Sequence, residues 1–145
     1  MMKTLCGIMA LLFAGALFCP QAAAKEETRD GVFVHVSHGA DDPHRLLMAL
    51  SMAAIMAEDH PVLMYFDIKA VETVLKDAKD ISFSHFPSSR TALADLLSKK
   101  VILMACPGCL KAAGKKPDDL LEGVQVADKS KFFSFTKGRI LSLDY

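Results

Sequence analysis

The residues most able to do chemistry are two cysteines in the run Cys106-Pro107-Gly108-Cys109. Cysteine reacts as the thiolate, which is favoured where the unpaired N–H groups of a helix start point at the sulfur. Pro107 suits the first helical position, because its missing N–H has no partner to lose there and its φ is already helical. The Cys106 sulfur is therefore expected at the cap as the candidate nucleophile, with Cys109 inside the first turn. From there Cys109 can attack a sulfur carried on Cys106 and close a disulfide. Lys111, one turn further on, adds a positive charge.

Other uses of the pair fit less well. A structural disulfide across so short a loop removes little chain entropy. A zinc site would need a second cysteine pair or closely spaced histidines, and the sequence has neither. General thiol-disulfide oxidoreductases of the thioredoxin type carry C-x-x-C after an early strand, with a cis-proline strand well downstream. Here the motif follows the third predicted strand, and Pro117 lies only eight residues beyond Cys109.

The elements that must position the sulfurs emerge from apolar runs alternating with helical patterns. Residues 31–38 (GVFVHVSH) are β-branched and aromatic and stop at Gly39, which predicts a first strand. Asp41, Asp42 and Pro43 offer a cap and first-turn proline for a helix to about residue 59. A second strand is expected at 62–67 (VLMYFD), and Val71, Val74, Leu75 and Ala78 recur at helical spacing. Ser88 and Ser89 precede a helix with Ala92, Leu93, Leu96 and Leu97 on its apolar face. The continuous run 101–105 (VILMA) has the character of a strand covered on both faces. After the cysteines come a short helix to Ala113, a stop at Gly114 and a helical piece at 118–122. A strand, helix and strand follow at 124–127, 131–135 and 139–145.

Strands separated by helices predict a three-layer α/β/α domain with a mainly parallel sheet of about five strands. Sites in such sheets lie beyond the carboxyl ends of the strands. His38, Asp67 and Cys106 each end a predicted strand and are expected on one rim, which makes His38 a candidate base or thiolate partner. Residues 46–56 contain one polar side chain, Ser51, so the first helix is apolar nearly all round and suggests a subunit interface.

The N-terminus has a different character. Lys3 precedes fourteen uncharged residues, 5–18, and then Cys19-Pro20-Gln21-Ala22-Ala23-Ala24. A positive start, a short apolar run and a small-x-small ending predict a secretory signal peptide at 1–24, cut after Ala24, and export to the periplasm. Fourteen residues fall short of the ~20 of a spanning helix. Polar residues 25–30 read as a frayed terminus before a single domain at 31–145. Of the 17 basic side chains, Lys3 leaves with the leader, and 16 then face 17 acidic ones. That balance gives no electrostatic footing for nucleic acid or an anionic membrane. Cys6 and Cys19 leave as well, so a disulfide-stapled scaffold is excluded and only the Cys106–Cys109 pair remains.

Other polar residues have plainer roles. Met48, Met52 and Met56 form a row that could suit copper, but methionine in an apolar helix usually fills space. His35 lies mid-strand and reads as a core histidine, His60 as a surface residue, and Asp42 as a cap. Residues 81–90 (ISFSHFPSSR), with His85 and Arg90, form a connection or a lid over the rim. The Gly39 loop lacks dinucleotide-binding spacing, and no cofactor or metal is implied.

The runs 31–47 (GVFVHVSHGADDPHRLL), 101–114 (VILMACPGCLKAAG) and 119–127 (DLLEGVQVA) resemble DsrE/DsrF-like proteins, which include subunits of cytoplasmic sulfur-relay complexes. The most specific part is the cysteine ending the third strand with a glycine eight residues later, here Cys106 and Gly114. The resemblance implies an α/β/α sheet, trimeric or hexameric assembly, and a persulfide carried at Cys106 with sulfur donors and acceptors as partners. The exported leader and the second thiol, Cys109, depart from the relay pattern, and Cys109 fits a resolving role. The expected function is thus periplasmic sulfur handling. A thiol-disulfide oxidoreductase and a non-catalytic ligand- or metal-binding oligomer are the alternatives.

Overall fold

In a computed structural model, residues 28–145 are described, so the leader at 1–24 lies outside the described residues. Five parallel strands form one sheet in the order β4-β3-β2-β1-β5. The strands are β1 (Gly31–Val36), β2 (Val62–Phe66), β3 (Ile102–Ala105), β4 (Gln125–Val126) and β5 (Ile140–Asp144). The helices α1 (Pro43–Met56), α2 (Ser89–Ser98), α3 (Pro107–Ala112) and α4 (Lys129–Ser134) alternate with them. The predicted three-layer α/β/α class is borne out.

The topology makes the two faces unequal. From β1 to β4 each strand is added on the same side of its predecessor, and right-handed crossovers place those connections on one face. The chain then returns once, through α4, to lay β5 beside β1. On the heavily covered face, Val34, Val36, Met64, Phe66 and Leu103 meet Leu46, Leu50, Leu93 and Leu96 of α1 and α2 in the main core. Among the described residues the other face has only the six residues of α4, whose Phe132 packs edge-on to Phe33 and Tyr65 at centroid distances of 5.7 and 5.2 Å. Period-two alternation gives this face Phe33, His35 and Tyr65, all half-buried, above a small floor of Leu63 and Met104.

Several boundaries differ from expectation for identifiable reasons. The first strand ends at Val36, so His38 sits in the following turn. Residues 70–74 form a 3-10 turn (Ala70–Val74) instead of the expected longer helix. The chain is drawn extended at Leu75, which bridges Leu120 antiparallel, while the Lys76 and Leu121 amides donate to Asp119 and Val74 carbonyls at 2.9 Å. The same cross-link limits the predicted helical piece at 118–122 to a 3-10 turn, Pro117–Asp119. In α1, Asp42 caps the helix through Arg45 N–H at 3.0 Å as expected, but the helix ends at Met56. Its outward row of Met48, Met52 and Ile55 is only partly covered, with Ile55 60% exposed.

Phe66→Ala is expected to lower unfolding free energy by about 3–5 kcal/mol, since Phe66 is fully buried in the main core. Phe133→Ser, at a 75% exposed position, is expected to change it by under about 0.5 kcal/mol. Urea denaturation of both variants checks the assignment of the two faces.

Candidate functional site

β3 runs into α3 through Cys106, which has extended backbone and is the N-cap, with Pro107 at the first helical position. The cap acceptor is the sulfur itself: Cys109 N–H donates to Cys106 Sγ at 3.4 Å. The Cys106 amide is tied back to β2 by donating to the Phe66 carbonyl at 2.9 Å, which fixes the turn against the sheet. Both cysteines are free thiols and half-buried.

The two sulfurs differ in their surroundings. Burial raises the Cys106 thiol, but the Tyr65 hydroxyl, the Cys109 amide and thiol and the Gly108 amide outweigh it, and the net effect holds Cys106 below the ordinary thiol value. Cys109 moves the other way. Burial pushes it up, the Ile68 amide opposes this, and the neighbouring Cys106 and Asp67 add to the rise. Burial, followed by the adjacent Cys106 sulfur, also pushes the Tyr65 hydroxyl well above the ordinary phenol range, which keeps it a proton donor. The resting pair therefore consists of a thiolate-prone Cys106 and a protonated Cys109.

Ile68 completes the turn. Its φ of +45° is in the left-handed region, which is strained for a β-branched residue. The conformation aims its N–H at Cys109 Sγ, 3.1 Å away. Beside it, Ile68, Lys69, Glu72, Cys109, Ala112 and Ala113 line a hollow of about 240 Å³, through which Cys109 is reached from solvent.

His35 connects three strands on the same face. Its Nδ1 stands 2.7 Å from Asp144 Oδ1 and its Nε2 3.0 Å from Asp67 Oδ2. The ring stacks on Tyr65 at a centroid distance of 5.9 Å. The two carboxylates lie on opposite ring nitrogens, so these donors do not converge on one point as metal ligands would.

The predicted site residues thus separate. Cys106, Cys109 and Asp67 lie together. His38 does not join them: Arg45 donates to its Nε2 at 3.1 Å, leaving Nδ1 as donor to Asp41 at 2.8 Å, so both ring nitrogens are engaged at the α1 entrance. Lys111 is exposed in the last turn of α3, near the carboxyl end of the helix and not its sulfur-bearing end. His85 and the 81–90 segment belong to a ring cluster with His44, whose centroid is 4.8 Å from Phe83 and 5.7 Å from Phe86. Arg90 is held by the Lys76 and Ala78 carbonyls at 2.7 Å each. From the sequence alone Tyr65 and Asp144 carry no site role, and His35 reads as a core residue. Only the alternation placing His35, Tyr65 and Asp67 on one face could have signalled them.

No protein-family model and no curated protein matches the sequence. Among solved structures the chain is similar to the YchN protein of E. coli, with a TM-score of 0.62 and 17% identity over 81% of this chain and 100% of that one. It is also similar to MTH1491 of Methanobacterium thermoautotrophicum, a protein of unknown function, with a TM-score of 0.58 and 21% identity over 79% and 99% of the two chains. At these identities the likeness is one of fold, and it agrees with the parallel α/β/α architecture described above.

Tyr65→Phe is expected to raise the Cys106 titration, because a donor to the thiolate is lost while burial remains. In the wild type, alkylation of Cys106 should set in at lower pH than that of Cys109. Mass spectrometry of iodoacetamide-treated protein across pH reads both effects. Equal onset at the two cysteines would contradict the asymmetry.

Proposed function

We propose that this is a sulfur-handling protein in which Cys106 accepts sulfane sulfur as a persulfide and Cys109 resolves it. The observation that carries the reading is the asymmetric pair at the start of α3, a thiolate-prone Cys106 next to a protonated Cys109. In the loading step the Cys106 thiolate attacks the outer sulfur of a donor persulfide or polysulfide, and the donor leaves as its thiolate. The sulfur then follows one of two routes. An acceptor thiolate can take the outer sulfur and regenerate Cys106, or Cys109 can attack the inner sulfur, releasing hydrosulfide and leaving a Cys106–Cys109 disulfide for a dithiol reductant to reopen.

The leader at 1–24 would place this chemistry in the periplasm, so the donor and acceptor would be small sulfur species or exported proteins. A homo-oligomer, trimeric or hexameric, would cover the outward row Met48, Met52 and Ile55 of α1. Ile55→Asp is then expected to lower the sedimentation coefficient. An unchanged value would place the contact elsewhere.

A dithiol oxidoreductase would use the same two sulfurs, and the asymmetry supports that second reading too. Polysulfide treatment separates the two. The Cys109→Ser form should gain the mass of one sulfur atom on Cys106 and keep it, while the wild type should release hydrosulfide and become a disulfide. No added sulfur on Cys106, together with turnover of insulin disulfides, would favour the oxidoreductase instead.

A further inference from the structure

Resolution by Cys109 lacks a base in the scheme above. The thiol must lose its proton before it can attack, and its surroundings hold that proton in place. Asp67 is an acid–base group whose charge acts on Cys109 and which the scheme leaves unused. Its side chain is 19% exposed, with Oδ2 facing His35 Nε2 at 3.0 Å. Its Oδ1 is buried without a hydrogen-bond partner, as is His35 Nε2, whose contact with Asp67 is close but not aligned for a hydrogen bond. Unsatisfied buried polar atoms are unfavourable in a resting fold and call for an explanation in function. The Asp67 charge acts on both Tyr65 and Cys109. The next residue, Ile68, holds Cys109 Sγ at 3.1 Å through its strained backbone, so carboxylate and thiol are positioned by consecutive residues of one turn.

We propose that Asp67 takes the proton from Cys109, directly or through one water, and that His35 and Asp144 link it to solvent; the physiological version of this step rests on the sulfur-handling reading. Asp144 is 77% exposed and stands 2.7 Å from the far nitrogen of His35. An imidazole between two carboxylates can receive a proton on one nitrogen and release it from the other. The groups facing Asp67 are His35 from β1, with Asp144 of β5 behind it, Tyr65 beside it at the end of β2, and Cys109 of the α3 turn.

The step balances without a further co-reactant. Asp67 removes the Cys109 proton, the thiolate electron pair forms a bond to the inner sulfur on Cys106, and the bond to the outer sulfur breaks. That sulfur leaves with the bonding pair and takes up one proton, so an anionic persulfide and a thiol give a disulfide and hydrosulfide. Each cysteine sulfur is oxidised by one electron, and the sulfane sulfur is reduced by two.

The base can be tested with glutathione disulfide, because the same attack then expels glutathione from a mixed disulfide on Cys106. Full-length protein is mixed with glutathione disulfide, acid-quenched, and the closure of the mixed disulfide is followed by mass spectrometry. Asp67→Asn is expected to slow closure about tenfold to a hundredfold near pH 7 and to approach the wild-type rate at high pH, where hydroxide replaces the base. Wild-type closure should fall only shallowly from about pH 8 to 6, whereas a thiol without a base loses about tenfold per unit. A tenfold fall per unit in the wild type, which requires no variant to fold, or an unslowed Asp67→Asn, overturns the assignment. Polysulfide loading of Cys109→Ser separates the two claims. A base effect without loading removes the sulfur substrate and keeps Asp67 as the base, and loading without a base effect removes Asp67 alone.

Discussion

The first turn of α3 is capped by a sulfur where helices ordinarily use an oxygen. A neutral thiol is a weak acceptor, and the 3.4 Å contact from Cys109 N–H to Cys106 Sγ becomes a strong interaction only when the sulfur is charged. Satisfying the helix start thus also favours the thiolate, and the Tyr65 hydroxyl adds to the same preference. Everything chemical in the molecule depends on it. Pro107 contributes by starting the helix directly after the cysteine, and the Phe66 carbonyl contributes by fixing the Cys106 amide to the sheet.

The sheet determines what surrounds that sulfur. Because three connections cover one face and a six-residue helix covers the other, a strip of β1, β2 and β5 is dry enough to perturb polar groups yet still open to solvent. Tyr65 uses this half-buried setting: its hydroxyl is held protonated and, as a donor, lowers the Cys106 thiol. Burial alone would have opposed the thiolate. The donors around Cys106 reverse that sign, whereas Cys109, which has the Ile68 amide as its principal donor, keeps its proton. Nucleophile and resolving thiol differ because their donors differ, although they are three residues apart.

The parallel fold and the cap position of Cys106 were legible in the sequence because both rest on local patterns. Runs such as VILMA at 101–105 and a proline directly after a strand-ending cysteine carry their meaning within a few residues. The His35–Asp67–Asp144 cluster was not legible, since it depends on β1 pairing with β5 more than a hundred residues away in register His35 to Asp144. The expected helix from Val71 to Ala78 had the right spacing, but a distant bridge between Leu75 and Leu120 shortened it. His38 was placed on the cysteine rim because the first strand was read two residues too long; once the strand stops at Val36, Asp41 and Arg45 take the ring. Ile68 gave no signal at all, because nothing in its type suggests a left-handed backbone.

The central claim is that the donors around Cys106, the Tyr65 hydroxyl first and then the amides of the helix start, hold its thiol below the ordinary value. The most direct measurement is an ultraviolet thiolate-absorbance titration of Cys109→Ser in a chain of residues 25–145, whose only thiol is Cys106. The account predicts a thiolate that persists below the ordinary thiol value of about 8.5. A midpoint at or above that value would contradict it.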